Sequence, residues 1–295
     1  MKKIAILILA HKNPLQVLRF ISQFNPKLFD IYVHFDKKIS LTDDVLAKFT
    51  AHQNVFLIPD EQRISISWGD STRIKAEKIL LDFSYQKSKY SFFILCSGQD
   101  LLIKKSTRLY DFLTANKDKS FNEAIDDTLI PEFKKRNELK YSKFRTSKSF
   151  VSKAARNAYK RITGGGKYTF PLFRTRFSKQ FDFHFGSSWF EFNQETVDYI
   201  RKFEAKHPDY REGFKKSLNP DECYYQTILF TSKEQVSRLI NRNLTYIDWS
   251  ENGSSPKTLT TDDLKALDAS DCFFARKFDE AVDSKVIQRI LENTK

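Results

Sequence analysis

Four short apolar runs punctuate the first hundred positions: residues 4–10 (IAILILA), 31–35 (IYVHF), 54–58 (NVFLI) and 92–96 (FFILC). Each is rich in Ile, Val and Phe and short enough for one pleated segment, so each predicts a buried strand. Between them the spacing turns helical, most clearly from Ser71 to Phe83, where Ile74, Ile79, Leu80 and Phe83 recur among lysines and acids. Strands alternating with helices imply an α/β fold around a parallel sheet. Such sheets bind ligands beyond the carboxyl ends of their strands, which directs attention to His11, Asp36 and Ser97 to Asp100.

The second half opens with a helix over about Phe150 to Ile162. It sets Val151, Ala154, Ala155, Ala158, Tyr159 and Ile162 on one face, with Lys153, Arg156, Lys160 and Arg161 elsewhere. HFGSSWFEFN then predicts a strand, and Gln194 to Ala205 a helix. A further helix is expected over Asp221 to Phe230, with Asn219-Pro220 as cap and first turn. From Tyr246 the chain holds turn residues (WSENGSSPK), then a short helix starting near Thr260 or Thr261 with Asp262 and Asp263 in its first turn. No internal repeat or low-complexity linker divides the chain, and 295 residues can bury a full core, so one domain over 1–295 is expected.

Charge changes this picture at one place. The net charge is +13, and Lys134 to Lys179 holds fifteen Lys or Arg against one acid, Glu138, so a single insert carries the excess. A concentrated basic stripe implies an anionic partner: nucleic acid, an anionic membrane or a phosphorylated substrate. Cys96, Cys223 and Cys272 are far apart and show no ligand spacing, which fits free thiols in a reducing compartment. MKKIAILILA has the flavour of a signal peptide, but its apolar run ends at Ala10, and a first strand suits it better. No stretch approaches the roughly 20 apolar residues that span a bilayer.

Neither GxGxxG nor GxxxxGK[ST] follows any strand, so the dinucleotide and P-loop fingerprints are absent. Asp36, Asp100 and Glu222 instead stand at strand ends or a helix start, and Arg276-Lys277 follows the apolar CFFA. A carboxylate to take a proton and cations to receive a diphosphate are the minimum for transfer from a sugar nucleotide.

Eight motifs in order, ILAHKNP, IYVHFDKK, SWGDS, ILCSGQDLLIK, GSSWFEFN, NPDECYYQTIL, YIDWSENGSSPKTLT and FFARKFD, spread from residue 8 to 279. Together they resemble the core-2/I-branching enzymes and protein xylosyltransferases, glycosyltransferases of GT-A architecture. The resemblance implies a Rossmann-like nucleotide-sugar-binding sheet with flanking helices and a basic helical insert. Residues 1–120 would be mainly the donor half, 134–179 the insert and 180–295 the acceptor-binding and catalytic half. By match, Glu222 is the catalytic base. Arg276 and Lys277, with Lys257 in SSPKT, face the diphosphate, while Ala10, His11, Asp36, Trp68 and Asp100 line the donor site. Asp100 ends SGQD, where other GT-A enzymes carry Asp-x-Asp, and lone histidines such as His11, His34 and His184 offer no ligand spacing. The expectation is therefore inverting transfer with no metal and no cofactor beyond a UDP-sugar, with UDP-GlcNAc or UDP-xylose favoured.

For the acceptor, the match points to Glu123, Ser188, Trp189, Tyr246, Asp248 and Trp249, with the aromatic faces meeting sugar rings. Ser188 stands where xylosyltransferases have an Asp, a departure that separates this chain from their acceptor. The animal relatives carry a membrane anchor and stem, whereas the first strand here begins by about residue 3. The expectation is a bacterial, cytoplasmic enzyme of surface polysaccharide synthesis acting on a glycan or lipid-linked saccharide. The insert 134–179 then reads as a peripheral dock on an anionic membrane or as a solvated helix. The alternative is a nucleic-acid-binding protein using that insert, with Tyr141, Phe144, Phe150, Tyr159 and Phe170 as stacking groups. Against it, no RRM, KH, zinc-finger or helix-turn-helix signature is present.

Overall fold

Ile4–Ala10 forms the first strand, β1, and all seven of its residues are buried. A strand with no polar face needs partners along both edges and cover on both sides, and the chain supplies them. Strand β2 (Phe29–Phe35) runs parallel to it in continuous register from Ile4↔Phe29 to Ala10↔Phe35. Beyond β2 lies β3 (Val55–Leu57), and on the other edge lies β4 (Phe92–Ser97), both parallel. The far half reverses direction: β9 (Glu191–Asn193) pairs antiparallel with β4 and with β6 (Ser120–Phe121), and β10 (Leu239–Ile240) closes the edge. The seven-stranded order is β10-β6-β9-β4-β1-β2-β3. This computed structural model describes residues 2–125, 181–253 and 255–294, and the basic insert 134–179 lies outside them.

Alternation along β1 divides the core in two. Ile4, Ile6 and Ile8 face a layer that holds α1 (Pro14–Ile21), α2 (Asp43–Thr50), α4 (Ser106–Ala115), α8 (Leu264–Ala269) and α9 (Ser284–Thr294). Ala5, Leu7 and Leu9 face α3 (Thr72–Lys87), α5 (Gln194–Lys206), α6 (Asp209–Gly213) and α7 (Tyr224–Phe230). Each fully buried Leu, Ile or Phe is worth about 1.5–3 kcal/mol, so these layers, not helix propensity, fix the helices.

Two small sheets shape the carboxyl edge. Strand β12 (Phe274–Arg276) runs between β11 (Thr245–Ile247) and β5 (Asp100–Leu102), and Arg276 lies opposite Asp100. Strand β8 (Phe185–Gly186) pairs with β7 (Ala124–Ile125).

The strand expected across HFGSSWFEFN is therefore two strands, β8 and β9, in different sheets. Its glycine allows the crossing: a Cβ on Gly186 would lie 1.9 Å from the Glu123 carbonyl oxygen. Gly186→Ala is expected to destabilise the fold by about 1–3 kcal/mol through overpacking. Urea unfolding measures this, and a change below about 0.5 kcal/mol would mean that the two strands separate without strain.

The helix expected over Asp221 to Phe230 is likewise divided. A 3₁₀ turn, Pro220–Glu222, precedes α7, and Cys223 (φ −145°) separates them. Asn219 takes a left-handed conformation (φ 47°), so Asn219-Pro220 opens a tight turn instead of the first turn of an α-helix. The helix expected near Thr260 starts as a 3₁₀ turn, Thr261–Asp263, under a Thr260–Asp263 capping box.

Candidate active site

The ends of β1, β2 and β4 open on one side, as parallel strands must. There the Asp36 amide donates to the Ala10 carbonyl (2.8 Å), and the Asp36 carboxylate accepts from the amides of Lys38 (2.9 Å) and Ile66 (3.1 Å). Asp36 is buried and holds the segment leading to Trp68, whose side chain is 68% exposed. His11 is exposed beside it. Desolvation and Lys12 hold its imidazole below the usual pKa against the opposing pull of Asp36, and Arg276 and Lys38 add to the depression.

The chain's last third closes this edge. Phe278 donates its amide to the Gln99 carbonyl (2.8 Å), and its carbonyl accepts from the side chains of Gln16 (3.0 Å) and Gln99 (3.1 Å). Lys12 pairs with Asp279. These contacts bring Arg276 and Lys277, joined by a cis peptide bond, to the strand ends. Arg276 lies 3.3 Å from Asp100 and 4.0 Å over the Trp189 ring. Burial lifts the Asp100 carboxyl to about 6 despite Arg276 and the Ser97 amide, which donates to it at 2.7 Å. The Lys277 ammonium bonds Ser255 (2.9 Å), and desolvation, Arg276 and Lys12 push its pKa down. Lys257 turns away to Asp263 (2.7 Å) and Asp248 (3.9 Å).

The turn that carries Glu222 reaches Trp189 through Arg73 and Ser188. Glu222 is half-buried, and its carboxylate accepts from Asn219 Nδ2 (3.3 Å). Its neighbour Asp221 points inward, where it accepts from Ser188 Oγ (2.7 Å) and meets Arg73 Nη1 (3.1 Å). Arg73 also donates to Glu77 (2.9 Å) and places its guanidinium 4.8 Å from the Trp189 ring centre. Ser188 and Trp189 thus serve the protein's own acid and cations here. Trp189 is only 6% exposed.

Of the remaining expected residues, Glu123 accepts from Asn243 (3.2 Å), which also bonds Ser187 (2.9 Å) in the loop before Ser188. Tyr246 and Asp248 are half-buried around β11, Asp248 accepting from the Ser250 amide (2.7 Å), and Trp249 is 53% exposed.

Sequence reasoning missed Arg73 and Glu77. The signal was available: Glu77 falls on the apolar side of its helix with Ile74, Leu81 and Ser84, all buried. Polar atoms without a hydrogen-bond partner among the described residues include Arg73 Nη2 and Glu77 Oε2. Orphaned buried groups of this kind cost stability and concentrate where function needs them. No group of three or more His, Cys, Asp or Glu among the described residues is arranged to hold a metal.

One cation serving two buried acids leaves room for a proton. Burial raises Glu77 to about 8, with Arg73 opposing and Asp221 adding to the rise. Between the usual carboxylate pKa and that value the folded protein keeps a proton the unfolded chain has lost, so this group's contribution to stability declines as pH rises through the window. Glu77→Gln is expected to gain in Tm relative to wild type from about pH 5 to about pH 8. A constant Tm difference across that range would exclude the protonated Glu77.

Residues 4–271 match the Core-2/I-Branching enzyme family. A xylosyltransferase of Ciona intestinalis is 21% identical over 88% of this chain and 30% of its own length. Xylosyltransferase 2 of Mus musculus is 23% identical over 97% of this chain and 33% of its own. The chain thus spans about a third of these curated relatives. Among solved structures, the galactosyltransferase LgtC, crystallised with donor and acceptor sugar analogues, aligns over 99% of this chain and 96% of its own at 8% identity and a TM-score of 0.41. No described helix is long and apolar enough to cross a membrane. With the α/β sheet and a family match over nearly all its length, this chain belongs to the Core-2/I-Branching enzyme family.

Proposed function

We propose that the protein is an inverting, metal-independent glycosyltransferase that moves a sugar from a UDP-sugar, UDP-GlcNAc or UDP-xylose first, to a hydroxyl of a glycan acceptor. One observation carries the reading: Arg276 and the turn that bears Glu222 meet at a common element, Trp189, whose ring lies 4.0 Å from Arg276 and 4.8 Å from Arg73, the cation bound to that turn. The proposed proton acceptor and diphosphate partner are thus tied to one side chain.

In this mechanism the donor lies over the strand ends near His11, Asp36 and Asp100, with Trp68 at its edge. Glu222 takes the acceptor hydroxyl proton while the oxygen forms its bond to the anomeric carbon. The bond to the β-phosphate oxygen breaks, its electron pair leaves with UDP, and Arg276 and Lys277 meet the added charge. Asp221 is held by Arg73 and Ser188. A single displacement inverts the anomeric centre. Glu123, Tyr246, Asp248 and Trp249 are proposed to border the acceptor, a glycan or lipid-linked saccharide of bacterial surface polysaccharide. The insert 134–179 would hold the enzyme against an anionic membrane on its cytoplasmic side.

The test is a panel of UDP-sugars with excess EDTA, scored by UDP release and by the anomeric configuration of the product from NMR. Transfer with inversion is expected. Strict dependence on a divalent metal, or retention of configuration, would sink the mechanism.

A further inference from the structure

We propose that Arg73 is a positioning residue for transfer: held by Glu77, it fixes Asp221 and so sets the direction of the adjacent Glu222, against the same Trp189 indole that seats Arg276. The inference rests on Glu222 as base and Arg276 as diphosphate partner.

Three features make Arg73 more than a packed ion pair. Its guanidinium serves two carboxylates through different nitrogens, Nε to Glu77 and Nη1 to Asp221, so its plane is fixed by two bonds from different elements. Glu77 is one turn further along α3, whereas Asp221 belongs to the 3₁₀ turn, and the bond joins a long helix to a turn of three residues. Short turns have little rigidity of their own. Asp221 also accepts from Ser188 Oγ, which ties the turn to the loop bearing Trp189.

That loop is itself immobilised. Asn122 donates to the carbonyls of Ser187 (3.0 Å) and Trp189 (2.8 Å), and Gln226, on α7, donates to the Ser187 carbonyl (2.6 Å). The indole is therefore held on an anchored loop with two guanidinium groups near its ring. The two cations repel one another, and Asp100 on one side and Asp221 with Glu77 on the other hold each in place. A lysine at position 73 would keep the charge but lose the planar fork, and could not span both acids in the same geometry.

Arg73→Lys is expected to lower kcat by roughly tenfold or more, as displacement of a reacting group does, with donor KM and donor Kd within about twofold of wild type. Turnover within about twofold of wild type, or a loss of donor affinity matching the loss of kcat, would overturn the proposal. Should Arg73→Lys unfold, Ser188→Ala decides by the same split, since it removes one bond to Asp221 and no charge. Glu222→Gln in the same assay separates the layers. If it is inactive while Arg73→Lys and Ser188→Ala behave as wild type, the positioning role alone falls. If it turns over normally, the base assignment falls and this inference with it.

Discussion

Glu222→Gln is expected to lower kcat by roughly 10²–10⁴-fold, the range removed with a positioned general base, while donor affinity stays at the wild-type value. The amide has the shape of the carboxylate and still accepts from Asn219 Nδ2, so the turn keeps its geometry. What it loses is the ability to take a proton. In the proposed mechanism the donor contacts are at the strand ends and at Arg276 and Lys277, not on this turn, so titration calorimetry with UDP should be unaffected. Turnover within tenfold of wild type would require a different base. A fall in UDP affinity of similar size would instead make Glu222 a donor ligand.

The second large effect is on stability. Arg73→Leu removes the cation shared by Asp221 and Glu77, which are 5% and 1% exposed. Breaking a buried ion pair from one side costs about 3–5 kcal/mol, because the remaining charge stays in the interior without its partner. Glu77 can hold a proton, so the cost falls mainly on Asp221. Urea unfolding at neutral pH should show the loss in midpoint, with little change in slope. Adding Asp221→Asn to Arg73→Leu should then cost less than the sum of the two single changes, the sign of a direct pair. Additive losses, or a single-variant loss below about 1 kcal/mol, would mean that water reaches Asp221.

The central strands were legible because their residues are almost all buried and mostly apolar. β1 has the expected bounds, and β2 and β4 extend the expected runs by two residues and one residue. Expectation failed where a backbone angle or a distant carbonyl decides. Asn219 at φ 47° and Cys223 at φ −145° break a segment whose apolar residues suit a continuous helix. Gly186 ends a strand because Glu123 lies against it, which local pattern cannot reveal. The acids and cations of the site came from motif resemblance, since periodicity alone treats Glu222 or Arg276 as surface charge. Arg73 was missed for a related reason. An arginine in the first turn of a helix ordinarily faces water, and only the packing of Asp221 and Trp189 on α3 makes it interior.

The closure of the strand ends by residues 276–279 also bears on the order of synthesis. Gln99 and Phe278 meet across 179 positions, and β5 pairs with β12 alone. A nascent chain can therefore build the β1–β4 sheet early, yet keeps β5 as an open edge until Phe274–Arg276 have left the ribosome. A polypeptide stopped short of Phe274 would leave Asp100 without the guanidinium that faces it, so the proposed diphosphate site is assembled only after the sheet that carries it.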